Sequence, residues 1–206
     1  GSSAMFSLTQ NDYTKAMYPF DFKFTVRYTL KADGITVTYR VRNDSDAEMP
    51  FCIGAHPAFA TPGDMNGYRL QFLRPETAAV PNYNLETGLH EEHNRRELMK
   101  DSTDLQLSHE MFYEDVCYFD KVASRQVELL NSENTGVRVD YPDFTSLGVW
   151  QAKDAPFLCI EPWCGSADFD DCSGVFAEKR GIEILAPGAE KTFTYAITAV
   201  EHKAKV

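Results

Sequence analysis

Two short stretches carry residue types that do chemistry when they are brought together. The first is Phe157–Asp168, FLCIEPWCGSAD, in which four largely apolar residues deliver a carboxylate, Glu161. Apolar runs of this length bounded by Pro and Gly read as buried strands, and Pro162 is read as the residue that stops this one. A carboxylate at the mouth of such a strand is partly desolvated, which raises its proton affinity and suits it to general-base work. Trp163, two residues on, offers a flat apolar face for a sugar ring. The blander alternative is a strand-end carboxylate that only pairs with a nearby Arg or Lys.

The second stretch is Met49–Phe59, MPFCIGAHPAF, where another apolar strand runs into Gly54-Ala55-His56-Pro57. Gly54 removes bulk beside the histidine, and Pro57 holds His56 extended by disfavouring the α region before it. A lone strand-end histidine is often just a hydrogen-bonded structural residue. A carboxylate and an imidazole that are both rigidly presented can instead transfer two protons near neutral pH without a cofactor.

Other polar clusters are weaker. His90-Glu91-Glu92-His93 spaces two imidazoles by three residues. The zinc-hydrolase signature needs a spacing of four and a third ligand, so no metal is expected and a solvated charged loop is. Asp168-Phe169-Asp170-Asp171 lacks the further spacing of a calcium loop. Asp115 and Asp120, in an aromatic stretch, are candidates for binding sugar hydroxyls, with turn formation as the alternative.

The elements that must position these residues read as strands. Phe22–Leu30 alternates apolar and polar with period two, and Ile35–Arg42 repeats the pattern after Lys31-Ala32-Asp33-Gly34. An antiparallel hairpin follows, with Asp33-Gly34 expected to supply the positive φ of a tight turn. Strand patterns recur at Tyr68–Phe72, Gln126–Leu130, Gly136–Tyr141, Ser146–Gln151, Gly181–Leu185 and Lys191–Val200. Phe6–Lys15 reads as a lead-in with a short helix, and Thr61–Ser108 mostly as a Pro-, Asn- and charge-rich excursion. Ten or more strands without a βαβ rhythm predict an all-β antiparallel sandwich, with residues 1–206 as one domain.

The chain has 206 residues, 43% of them hydrophobic, enough to bury a sizeable core. Its net charge of −11 disfavours nucleic acid and anionic membrane surfaces as partners. No apolar run approaches transmembrane length, and Gly1–Met5 lacks a signal-peptide pattern, its Gly-Ser start reading as a tag remnant. Five cysteines without a CxxC pair fit a reduced, cytoplasmic protein.

With His56 and Glu161 both in place, the sequence resembles the aldose 1-epimerase (galactose mutarotase) family, closest to its LacX-like branch. The match is carried by Gly54–Phe59 (GAHPAF) and Phe157–Asp168. Support comes from Gly148–Ala152 (GVWQA), Lys179–Ile182, Leu185–Ile197 and the first hairpin. The resemblance implies a galactose mutarotase-like β-sandwich that interconverts the α and β anomers of a free hexose, with no cofactor. Glu161 then matches the general base and His56 the general acid. Asp115 would bind a sugar hydroxyl, and Trp150 and Trp163 would form apolar walls. It also implies an absence. The family's early strands carry an HGFxR-type motif with no counterpart before Phe6, so the chain is expected to lack the family's N-terminal portion. Full activity is then in question, and an exposed sheet edge would invite pairing as a homodimer. Two other functions use the same residues. One is a non-catalytic carbohydrate-binding module. The other is a hexose-6-phosphate 1-epimerase, which needs a basic cluster from Arg74, Arg95 and Arg96.

Overall fold

In a computed structural model that describes residues 2–202, the chain forms fifteen strands and one short α-helix. Eight antiparallel strands make one sheet. Their order is β1 (Ser3–Thr9), β2 (Phe22–Leu30), β3 (Gly34–Asn43), β15 (Glu190–Glu201), β11 (Thr135–Asp140), β10 (Gln126–Asn131), β7 (Tyr68–Asn84) and β8 (Leu89–Gln106). A smaller sheet runs β5 (Ile53–Gly54), β13 (Phe157–Cys164), β12 (Ser146–Trp150), β9 (Cys117–Phe119), with β6 (Ala58–Ala60) also paired to β13. The pair β4 (Met49–Phe51) and β14 (Glu183–Leu185) stands apart from both. Among the described residues, no helix is long and apolar enough to cross a membrane.

The period of two sorts side chains between the layers. The large sheet buries Val37, Tyr39 and Val41 from β3, Val127 and Leu129 from β10, and Phe193 and Tyr195 from β15. The small sheet answers with Cys117 and Phe119, Leu147 and Val149, and Leu158, Ile160 and Cys164. Each fully buried side chain of this kind contributes roughly 1.5–3 kcal/mol. The residues between them on β9, β12 and β13 point away from the core: Tyr118, Gly148, Trp150, Cys159, Glu161 and Trp163. That outward row is where the site forms.

Four expectations need correction. Phe6 belongs to β1, and the helix α1 covers only Asp12–Met17, capped by the Asn11 side chain and the Thr14 hydroxyl. Thr61–Ser108 is not a loose excursion, because β7 and β8 form a hairpin of 17- and 18-residue strands. Four register irregularities interrupt their pairing, and a broken register hides the alternation from the sequence. Gly34 does not adopt a positive φ. A Cβ there would lie 2.0 Å from the Ile197 carbonyl oxygen, so close approach of β15 demands the glycine.

Pro162, finally, does not stop its strand, since β13 runs through it to Cys164. The Ile160 amide on the same side of β13 donates to Pro57, while the proline, with no amide to donate, faces the break between β5 and β6. That is where a strand tolerates a missing donor.

Candidate active site

His56 is placed by a ladder that its own residue interrupts. The pairings Gly54↔Trp163 and Ala58↔Cys159 share one antiparallel register along β13. Extending that register sets His56 directly opposite Glu161. The backbone on each side is tied to the same strand: Ala55 N–H donates to the Pro162 carbonyl at 3.0 Å, and Ile160 N–H to the Pro57 carbonyl at 3.1 Å. His56 Nε2 lies 3.4 Å from Glu161 Oε1. Their environments differ sharply, with side-chain exposures of 62% for His56 and 3% for Glu161. Burial, reinforced by the Asp115 carboxylate, pushes the Glu161 carboxyl up to about 7. A group poised there accepts and returns a proton near neutrality.

Trp163 lies flat because two glycines permit it. A Cβ on Gly54 would come within 2.5 Å of the Cδ1 edge of the indole, and one on Gly148 within 2.9 Å of its far ring. Trp150 meets His56 edge-to-face, with ring centroids 6.0 Å apart. Asp115 holds a φ of +80°, and its Oδ1 accepts from the Val116 amide at 2.7 Å. Aspartate tolerates this region better than most residues, and such strain collects at functional sites. Asp115, His56, Glu161, Trp150 and Trp163 thus line one hollow of about 280 Å³. A second hollow of about 410 Å³ adjoins it on the side of Cys52–Ala55 and Gly165–Ala167, sharing His56, Glu161 and Trp163.

Asp120 does not join them. Its carboxylate accepts both terminal nitrogens of Arg95 at 2.9 Å, and Arg95 also holds Glu92. Arg96 donates to the Met111 carbonyl, and Arg74 is exposed. The segment His90–His93 is part of β8 rather than a solvated loop. Within it His90 is fully buried and His93 is exposed, so the two imidazoles lie in different environments.

His90, expected in a solvated loop, instead joins the lining of the hollow. Its ring is fully buried, stacks on Tyr118 at 4.8 Å and 18°, and packs against Tyr83 and Phe169. Among the described residues neither ring nitrogen has a hydrogen-bond partner, and burial pushes its pKa down to about 4, which keeps it neutral. It lines the smaller hollow from below. No local signal marks it, because its partners come from β7, β9 and the loop after β13.

The aldose 1-epimerase family model matches residues 1–198. The chain is 30% identical over 204 residues to the chromosomal LacX protein of Lactococcus lactis subsp. lactis, covering 96% of this chain and 68% of that one. Among solved structures, a galactose mutarotase related enzyme from Lactobacillus acidophilus superposes with a TM-score of 0.87 at 29% identity. That match covers 98% of this chain and 70% of the other. A galactose mutarotase-like protein from Lactobacillus casei, 23% identical, shares the fold with a TM-score of 0.84 over 97% of this chain and 70% of its own. By sequence and by fold, the chain belongs to the aldose 1-epimerase family.

Proposed function

We propose that this chain interconverts the α and β anomers of a free hexose by opening and reclosing the ring. The observation that carries the reading is the 3.4 Å separation of His56 Nε2 from Glu161 Oε1 in an aromatic-walled hollow. The ring oxygen and the anomeric hydroxyl are bonded to one carbon, so the groups that protonate one and deprotonate the other must also be neighbours. Glu161 takes the proton of the C1 hydroxyl, the C1–O1 bond becomes a carbonyl, and the C1–O5 bond breaks. Its electron pair goes to O5, which takes a proton from the His56 imidazolium. Rotation about C1–C2 turns the other carbonyl face toward O5. His56 then removes the O5 proton as O5 attacks C1, and Glu161 returns a proton to O1.

Trp163 and Trp150 supply apolar faces for the sugar, and Asp115 accepts from a hydroxyl. The phosphorylated-hexose alternative is less well supported, because Arg95 and Arg96 are already engaged by protein groups. The test is polarimetry of freshly dissolved α-glucose and α-galactose. The proposal predicts acceleration that Glu161→Gln removes. Sugar binding without acceleration, persisting in both Glu161→Gln and His56→Ala, would establish a binding module instead.

A further inference from the structure

Ring opening gives Cys159 nothing to do, yet this residue shares the groove face of β13 with Glu161. One ligating atom from each of His56, Cys159 and Glu161 falls within 4.8 Å of the other two. We propose that these three side chains form a Zn²⁺ site, and that the ion reversibly blocks the catalytic pair. The blocking half rests on the function proposed above; the binding half does not.

The donor set selects the ion. One sulfur, one imidazole nitrogen and one carboxylate oxygen suit a borderline-soft, tetrahedral cation, whereas Mg²⁺ and Ca²⁺ require oxygen ligands. Three protein ligands leave a fourth position for water.

The spacing fits with a small adjustment. Tetrahedral ligands at zinc bond lengths lie roughly 3.5 Å apart, and the His56–Glu161 separation of 3.4 Å already matches. The remaining distances must close by about 1 Å at most on the same bond lengths. The exposed His56 side chain, 62% accessible, can close its gap to Cys159, and rotation about the side-chain bonds of Cys159 and Glu161 closes the gap between those two. Coordination forms a Zn–S bond and releases the thiol proton to solvent, without redox change. The ion then occupies the nitrogen and oxygen lone pairs that move protons, so hexose and Zn²⁺ compete.

Of the other thiols, Cys117 and Cys164 are buried in the core, while Cys52 and Cys172 are exposed. The experiment therefore uses the Cys52→Ser, Cys172→Ser protein. It is titrated with Zn²⁺ by calorimetry and with Co²⁺ by absorbance, with and without Cys159→Ser. The expected result is one ion per chain and a sulfur-to-cobalt charge-transfer band. Cys159→Ser should abolish the band and weaken Zn²⁺ binding at least tenfold. Zn²⁺ should inhibit mutarotation, with hexose protecting and EDTA restoring the rate. Absence of stoichiometric binding, or affinity and band unchanged by Cys159→Ser, overturns the site. Should the serine variant fail to fold, the Co²⁺ spectrum of the parent decides alone, because a site without sulfur shows no such band. Zinc bound through Cys159 without inhibition overturns the blocking role. A protein that binds zinc but never accelerates mutarotation refutes the enzymatic reading and leaves the metal site standing.

Discussion

The mouth and the floor of the groove each set an imidazole against aromatic rings, and the two behave oppositely. At the mouth His56 meets Trp150 edge-on, faces a carboxylate and is open to solvent. On the floor His90 lies flat on Tyr118, sealed by Tyr83 and Phe169, with both nitrogens unpartnered. On the function proposed above, the same side chain carries a proton in one place and is a neutral plate in the other. What decides is access to water and to an opposing charge, since burial alone penalises the charged form.

The largest test of this contrast removes the opposing charge. Glu161→Gln keeps the shape of the mouth and eliminates its base, so kcat for mutarotation should fall by about 10²–10⁴-fold, the usual worth of general acid–base catalysis. A fall of less than about tenfold on that scale would mean that the carboxylate is not the base. The pH profile reads the same group in the intact protein. The ascending limb of the activity profile should have an apparent value near 7, as Glu161 gives up its proton. The sign for stability is the reverse. A carboxyl held above its unfolded value favours the fold at low pH, and that contribution is lost as pH rises from about 4.5 to 7. Glu161→Gln should therefore melt higher than the parent above pH 7, although it has lost the chemistry.

A smaller effect is expected from the wall between the two regions. Gly54→Ala puts a methyl where the Trp163 indole lies and should lift the ring from the sheet. Overpacking of this kind costs about 1–3 kcal/mol, so sugar affinity should weaken by about tenfold in a binding titration. If affinity is unchanged, Trp163 is not a wall of the sugar site.

The smallest effect belongs to the floor. His90→Phe preserves the stack and removes two unpartnered nitrogens, and should raise stability by about 1 kcal/mol in urea unfolding. The parent's imidazole, protonated more readily when unfolded, should lower stability as pH falls from about 6.5 to 4, and the phenylalanine should remove that slope. A variant less stable than the parent at neutral pH would show that His90 has a partner after all.

How far the sequence discloses this arrangement depends on the distance over which each cause acts. The β2–β3 hairpin was legible because alternation is local, and the observed β2 span matches the expected one, Phe22–Leu30. His56 and Glu161 stood out for the same reason, each flanked by its own Gly or Pro. That they face each other follows from a register spanning more than a hundred residues, which no local pattern carries. The β7–β8 hairpin is hidden by its irregular pairing, and the burial of His90 by Tyr83 across that same hairpin and by Tyr118 and Phe169 from distant segments. The reason Gly34 must be glycine is not local either, because its crowding neighbour, Ile197, lies near the other end of the sequence.

The two backbone hydrogen bonds that flank His56 both end on the strand that bears Glu161. The proposed acid and base are therefore tied to one strand, and breathing between the two layers should carry them together with little change in their separation. Thermal inactivation should then have no early phase. Activity should persist while β13 keeps its neighbours and vanish with them, so the inactivation curve and the melting curve of the fold should coincide.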